Sequence, residues 1–323
     1  MASYLITGGA GFIGSHLAEL LLAHGDAVIL LDNMSTGQAA NLQSGAELIR
    51  GDIRDAGAVA QALSRVDGVF HLAAVSSVHA YLGHWAASSS VNACGSYTVF
   101  EAAARGGVPL VYASSAAVYG NPAELPLRET APLRPISGYG TDKLGNELHA
   151  SAMAEALGLA AVGLRFFNVY GPRQSPDSAY SGVISIFMDR WRSRRSLTVF
   201  GDGSQTRDFV FVRDVAQALA AAMARAQGGV GGVFNVCSGR STSILDLVAA
   251  LSQVVGGPLD FEFAPPRAGE ISASLGAPEA AARELGFRAR TDFVAGLAET
   301  LAWAQLPPRA PHIDAPTLAR QEK

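Results

Sequence analysis

The sequence predicts an α/β fold: a doubly wound parallel sheet with helices on both faces, and a smaller mixed α/β region attached to it. Three observations predict this. Short, apolar, β-prone runs recur at 4–7, 27–31, 47–49, 68–72 and 110–113, with helical stretches such as 59–64 and 91–105 between them. A glycine-rich turn, Thr7-Gly8-Gly9-Ala10-Gly11-Phe12-Ile13-Gly14-Ser15, joins the first run to a Pro-free stretch with helical apolar spacing over 12–23. The alternation then stops after Gly171, where Pro172, Ser175, Pro176, Ser178, Ser181 and Gly182 make a loop.

Composition narrows the class. The chain has 323 residues, of which 49% are hydrophobic and 16% charged, which suits one large domain or two coupled ones. A net charge of −4 makes no electrostatic case for nucleic acid. The local exception, Arg190, Arg192, Arg194 and Arg195, is expected to be the solvated face of a helix. Cys94 and Cys237 are far apart and form no metal-ligand spacing, so no metal is expected. Both are expected as buried free thiols in a reducing cytosol. No basic, apolar leader opens the chain and no apolar run reaches the ~18 residues of a membrane span, so a cytoplasmic protein is expected.

The first turn carries the first chemical signal. Gly9, Gly11 and Gly14 fit G-x-G-x-x-G, and Gly8, Gly11 and Gly14 fit G-x-x-G-x-x-G. The early glycines allow a tight turn at positive φ and a close approach of backbone N–H groups to a pyrophosphate. Gly14 lets the helix pack against the strand, and the helix N-terminus, opened by Phe12 and Ile13, faces the negative charge. The second run ends in Asp32-Asn33, and Asp32 lies 18 residues after Gly14. An acid about 20 residues on hydrogen-bonds the adenosine ribose and repels a 2′-phosphate, which favours NAD over NADP. Sites in such sheets gather at the carboxyl ends of the strands. There the sequence places Asp52-Ile53, expected to flank the adenine, then Leu72-Ala73-Ala74 and Ser114-Ser115.

Later segments read as mixed: strand-like runs at 197–200, 207–211 and 233–236, then helices from Ile244 and Pro278. Residues 1–170 are expected to form the NAD-binding Rossmann domain, with late strands and helices contributed from about 205–240. Residues 171–305 are expected to be mainly substrate-binding and interleaved with it, and 306–323 a polar, disordered tail.

The second signal is Tyr139-Gly140-Thr141-Asp142-Lys143, opening a helical stretch to about residue 157. A spacing of four puts Tyr139 and Lys143 on one face. A tyrosine is a poor base near neutral pH. A neighbouring ammonium and a positive nicotinamide ring would favour its phenolate, and Ser115 could share the proton of a sugar hydroxyl.

Taken together, Thr7 to Gly14, Asp32-Asn33, Gly51-Asp52, His71-Leu72-Ala73-Ala74, Asn92, Ser114-Ser115-Ala116-Ala117-Val118-Tyr119-Gly120, Tyr139 with Lys143, and Arg165-Phe166-Phe167-Asn168-Val169-Tyr170-Gly171-Pro172 resemble an extended short-chain dehydrogenase/reductase. More narrowly, they resemble the nucleotide-sugar epimerase/dehydratase family, and the motifs occur in family order from Tyr4 to about Trp303.

The resemblance implies a tightly held NAD cofactor, a UDP-sugar substrate and a homodimer, with helical stretches 91–105 and 139–157 packed between subunits. It adds Asn92 and Phe166 to the cofactor site. On the substrate side it adds Ser77, Ser115, Asn168, Val183 and Phe200, together with Arg207 and Arg267 as two diphosphate-binding arginines. In the family's dehydratases the two residues after the catalytic Ser/Thr are acidic, and its decarboxylases keep a glutamate at the second. Here they are Ala116 and Ala117. Without that acid, the resemblance implies 4-epimerisation. Tyr139 removes the 4-hydroxyl proton with help from Ser115, C4 exchanges hydride with NAD, and the 4-keto sugar turns about its diphosphate.

Alternatives stay open: a 4-ketoreductase, a 3,5-epimerase/reductase, a UDP-glucuronate 4-epimerase, or a non-catalytic NAD-binding regulator. In the resembling epimerases, the residue seven positions after the second diphosphate arginine borders the hexose C2 substituent, and a bulky tyrosine there restricts the enzyme to Glc/Gal. The corresponding residue is Ser274, which is small, and the loop 179–184 looks like that of N-acetylhexosamine-accepting epimerases. UDP-GlcNAc/UDP-GalNAc, with or without UDP-Glc/UDP-Gal, is the expected substrate.

Overall fold

Strand β1 (Ser3–Thr7) is apolar on both sides, and its neighbours Leu5 and Ile6 are both fully buried. Side chains alternate along a strand, so a run like this needs a layer of helices on each face. The computed structural model, which describes residues 1–76, 78–175, 182–267 and 271–305, has that arrangement. Ile6, Leu30, Phe70 and Val111 pack into one core, and Leu5, Leu31, Val69 and Leu110 into another on the opposite face.

The chain continues through α1 (Phe12–Ala23), β2 (Ala27–Asp32), β3 (Glu47–Arg50), α2 (Ala56–Leu63), β4 (Gly68–His71) and α3 (Val78–Ser89). A π-helical turn, Ser90–Gly95, leads into α4 (Ser96–Gly106). Then come β5 (Leu110–Ser115), α5 (Gly138–Leu157), β6 (Ala161–Phe166), β7 (Asn168–Tyr170), α6 (Val183–Arg192), β8 (Leu197–Phe200), β9 (Thr206–Arg207), β10 (Phe209–Phe211) and α7 (Val212–Gln227). The rest is β11 (Gly232–Val236), β12 (Thr242–Ser243), α8 (Ile244–Val255), β13 (Phe261–Ala264), α9 (Glu279–Glu284) and α10 (Phe293–Gln305).

Seven strands form one sheet in the order β11-β6-β5-β4-β1-β2-β3, with every pairing parallel. The order reverses between β1 and β4, which opens the crevice where such sheets bind ligands. The late strand β11 completes the edge beside β6. A further core lies under α6, α8 and α10, where Ile184, Phe187, Leu247, Leu251 and Leu297 are buried around Val199.

Local differences from the sequence reading have local causes. The helix read from 59 begins at Ala56, because the Asp55 carboxylate caps it by accepting from the N–H groups of Gly57 and Ala58. The stretch 91–105 opens as a π-turn. The run 207–211 breaks at Asp208, so β9 and β10 pair with different strands, β12 and β7. Cys237 is buried, but Cys94 is exposed, which corrects the expectation that both thiols are covered. The arginine cluster ends a helix rather than lining one. Arg190 and Arg192 close α6, Arg194 lies beyond it at φ +54, and Asp189 pairs with Arg192 and Arg195. Among the described residues, no helix is long and apolar enough to cross a membrane, and no group of three or more His, Cys, Asp or Glu side chains could hold a metal. Residues 306–323 lie outside the described residues.

Two buried histidines tie the loops to this frame. His16 on α1 donates from Nε2 to the carbonyl of Pro172 at 2.9 Å, and burial lowers its pKa to about 4. His71, at the end of β4, lies between the Thr7 hydroxyl (2.8 Å, at Nδ1) and the Ser96 hydroxyl (2.9 Å, at Nε2). Burial, helped by the Lys143 charge, lowers it to about 3. The unfolded chain therefore takes up protons first as pH falls below ~6.5, and each histidine withdraws about 1.4 kcal/mol of stability per pH unit. Urea unfolding at pH 6 and pH 4.5 should differ by about 4 kcal/mol from these two groups. His16→Gln, which keeps a donor for Pro172, should shallow the slope; a flat profile between those pH values would contradict the assignment.

Candidate active site

The glycine turn is held in one shape by its surroundings. Gly8 has φ +70, and a Cβ there would lie 2.8 Å from the backbone of Ala73. A Cβ on Gly14 would lie 2.4 Å from the Gly8 carbonyl oxygen. Only glycine fits either place. Asp32 fastens the loop to β2: its carboxylate accepts the N–H of Ala10 at 3.0 Å and of Met34 at 2.8 Å.

Along this edge runs a cavity of about 750 Å³. It is lined by Gly8, Gly11, Phe12, Ile13, Gly14, Asp32, Asn33, Asp52, Ile53, Leu72, Ala73, Ala74, Ser114, Ser115, Tyr139, Lys143, Phe166 and Asn168. An extended dinucleotide fits this lining. The N-terminus of α1 and the Cβ-free turn suit a pyrophosphate, and the Asp32 carboxylate suits a ribose diol. Asp52 has a second engagement. Arg54 holds it through two bonds, at 2.9 and 2.7 Å, Asn33 donates to it at 3.2 Å, and its pKa is lowered to about 2, chiefly by Arg54.

At the other end of the cavity, Ser137 caps α5 by accepting from Gly140 N–H at 3.1 Å, which sets Tyr139 and Lys143 in the first turns. The Lys143 side chain is only 2% exposed. Its Nζ donates to the Ala113 carbonyl at 2.8 Å and lies 5.8 Å from the centre of the Tyr139 ring. Burial lowers its pKa to about 8, with Asp142 opposing. Burial likewise raises the Tyr139 phenol, against a hydrogen bond with the Ser115 hydroxyl. The expectation of a favoured phenolate is therefore not met by the protein groups alone, because desolvation outweighs the Ser115 bond.

The next residue in the same i, i+4 series is Glu147, which the sequence reading missed. It is buried, and its carboxylate takes two bonds from Arg165, at 2.9 and 2.7 Å, and one from the Ser114 hydroxyl. Arg165 also donates to the Tyr119 hydroxyl at 2.8 Å, and Tyr119 donates to Asn235 at 2.7 Å. The Y-x-x-x-K-x-x-x-E spacing was the available signal. The loops 35–38 and 173–175, which also line the cavity, gave a weaker one. Arg173 stands at φ +69 and pairs with Glu19 of α1.

Other residues singled out in the sequence fall elsewhere. Asn92 is fully buried behind the wall, where its amide accepts from Val75 N–H at 2.7 Å and donates to Val75 O at 2.9 Å. It supports a lining residue rather than lining the cavity. Ser115 and Asn168 line the cavity; Val183, Phe200, Arg207, Arg267 and Ser274 are not among the described lining residues. Arg207 donates to the carbonyls of Thr206 and Ile271, both at 2.8 Å. The Ser274 N–H donates to Thr206 O at 3.1 Å, beside Arg207. The Arg267 guanidinium stacks on the Phe200 ring, 3.8 Å from its centre. Ser77, residues 179–181 and residues 268–270 lie outside the described residues.

The model of the NAD dependent epimerase/dehydratase family matches residues 4–237. The chain belongs to this family. NAD is its cofactor, and the chain is an enzyme of the epimerase type. It is 38% identical to a UDP-glucose 4-epimerase of Mycolicibacterium smegmatis over 307 residues, which covers 92% of this chain and 96% of the relative. Among solved structures, it is similar to the Thermotoga maritima UDP-glucose 4-epimerase with UDP-glucose (34% identity, TM-score 0.88). It is equally similar to the Methanobrevibacter ruminantium UDP-N-acetylglucosamine 4-epimerase in complex with UDP-N-acetylmuramic acid (33% identity, TM-score 0.89). Both comparisons cover 94% of this chain and 98% of the other.

Removing one partner of the Glu147–Arg165 pair leaves a buried charge unpaired. Glu147→Gln should lower urea-unfolding stability by about 3–5 kcal/mol, and Glu147→Leu combined with Arg165→Met should lose less than Glu147→Gln alone. A loss below about 1 kcal/mol in the single variant would mean that the pair is not the anchor its geometry suggests.

Proposed function

We propose that this enzyme interconverts the C4 epimers of a UDP-sugar, UDP-GlcNAc/UDP-GalNAc foremost, with UDP-Glc/UDP-Gal also accepted. The observation that carries the reading is the grouping of Ser115, Tyr139 and Lys143 on one cavity wall with Ala116 and Ala117 next in the chain. A base and a proton-sharing hydroxyl are present, and an acid for elimination is missing from the two positions where the related dehydratases carry one. When bound, NAD supplies reversible hydride exchange at C4. The protein's own part is proton handling and orientation. Tyr139, as the phenolate that Lys143 and the positive charge of a bound nicotinamide would favour, takes the 4-hydroxyl proton, and Ser115 on the same wall shares that proton. Lys143, fixed by Ala113 O, holds its charge beside the phenol. The return of the same proton from Tyr139 restores the hydroxyl on the other face.

Residues 1–170 with β11 and α7 would then hold the cofactor, and most of 171–305 the nucleotide sugar. The small side chain of Ser274 supports an N-acetyl group at C2. A cytoplasmic setting fits an NAD enzyme with an exposed free thiol at Cys94, and cell fractionation tests it.

The three UDP-sugar pairs, assayed without added NADH, test the reading. Wild type should interconvert UDP-GlcNAc and UDP-GalNAc. Tyr139→Phe should keep its NAD but lose about 100-fold or more in turnover. Ser274→Tyr should lose about tenfold on the N-acetyl pair while keeping the Glc/Gal pair. Near-normal turnover in Tyr139→Phe would sink the mechanism, and an unchanged preference in Ser274→Tyr would sink the pocket argument.

We also propose a homodimer, through α5 as the resemblance implies, but with α3 beside it in place of the stretch 91–105. Leu82 (78% exposed) and Trp85 (57%) on α3 and Leu148 (63%) on α5 are large apolar side chains left uncovered on the single chain. Light scattering at micromolar concentration should report a dimer, and Leu148→Glu should yield monomers. A monomeric wild type would reject this interface.

A further inference from the structure

Asp208 sits between β9 and β10, is fully buried, and belongs neither to the cofactor cavity nor to the proton-handling group. Every acceptor position it offers is used. Its Oδ1 accepts from Ser238 N–H at 2.7 Å and from the Ser238 hydroxyl at 2.6 Å. Its Oδ2 accepts from Gly239 N–H at 3.0 Å and Gly276 N–H at 3.1 Å. Its main-chain carbonyl accepts the N–H of Asn168 at 2.9 Å. Burial raises its pKa, and these donors oppose the rise.

The partners make the residue informative. Segment 271–276 runs beside 206–208 and is stitched to it by Arg207 Nη1 to Ile271 O (2.8 Å), Thr206 N–H to Ser272 O (2.9 Å), Ser274 N–H to Thr206 O (3.1 Å) and the Asp208–Gly276 bond. On the other flank, Ser238 and Gly239 lead into β12, where Thr242 pairs with Arg207. One carboxylate thus joins the segments on both sides of Arg207, and its own carbonyl joins Asn168.

We propose that Asp208 is a positioning residue for UDP-sugar recognition, setting the mutual placement of Asn168, Arg207 and Ser274 through its bonds to Ser238, Gly239 and Gly276. This rests on reading those three residues as the substrate side. Asp208 does not touch the substrate; it keeps the strip that does from shifting against the sheet. Misplacement of such a strip by about 1 Å costs as much as loss of a direct contact. Asparagine in its place would turn an amide donor toward N–H groups that need an acceptor.

The experiment is calorimetric titration of UDP into NAD-loaded enzyme, beside steady-state kinetics. Asp208→Asn should weaken UDP about tenfold and raise KM for the UDP-sugar in proportion, with kcat and NAD content within about threefold of wild type. Ser238→Ala removes one hydroxyl donor and leaves the rest, so it should weaken UDP about threefold; it serves if Asp208→Asn does not fold. Arg207→Met separates the two claims. If it binds UDP as wild type does, the substrate-side reading fails, and the role of Asp208 with it. If Arg207→Met weakens UDP while folded Asp208→Asn or Ser238→Ala binds it as wild type does, Asp208 is merely structural and the proposal is overturned, whatever happens to the melting temperature.

Discussion

The buried pair Glu147–Arg165 is the interaction that the catalytic wall depends on. It joins α5 to β6, and through the Ser114 hydroxyl it joins α5 to the end of β5. Lys143, one turn earlier, repeats the connection through Ala113 O. A helix crossing a sheet by apolar contacts alone is free to slide by a fraction of a turn. Here two charge-assisted anchors a turn apart remove that freedom, and Tyr139, a turn further on, inherits a fixed position relative to Ser115. The desolvation of Glu147 and Arg165 is offset mainly by each other and by Tyr119, so the pair is better understood as a source of register than of net stability.

Most of this site was legible because its chemistry is local in sequence. The glycine turn, Asp32, Ser115 and the Tyr139–Lys143 spacing each announce a strand end or a helix face, and a parallel sheet brings strand ends together. What stayed hidden depends on distant partners. The Asn92 amide, on the π-turn, is taken up by the backbone of Val75. Cys94 lies on the same turn and ends up outside. Glu147 reads as an ordinary helix carboxylate until β6 supplies Arg165 from 18 positions away. Asp208 reads as part of a strand until segments 238–239 and 276 close on it.

The loop after β7 is tied to the first helix. Pro172 O is held by His16 and Arg173 by Glu19, both from α1, the helix that the glycine turn begins. Arg173 keeps a positive φ that a non-glycine residue adopts at some cost, and the ion pair and the His16 bond on either side over-determine it. The segment after β7 is therefore fastened to the helix that follows the glycine turn, so the placement of one against the other is set by protein contacts.

An epimerase needs that arrangement to be rigid at one end only. Both faces of the sugar must reach the same hydride position, so the cofactor and the Tyr139 oxygen have to stay still while the hexose turns. The deeply buried Lys143, the Cβ-free turn at Gly8 and the Glu147–Arg165 anchor provide the still part. The sugar can turn only if its binding energy lies in the nucleotide and diphosphate rather than in the ring. Under the proposed reading, Arg207, set in backbone hydrogen bonds, and Arg267, stacked on Phe200, would grip the diphosphate outside the cavity that Tyr139 lines and leave the hexose loosely held, the division of labour that a swinging intermediate requires.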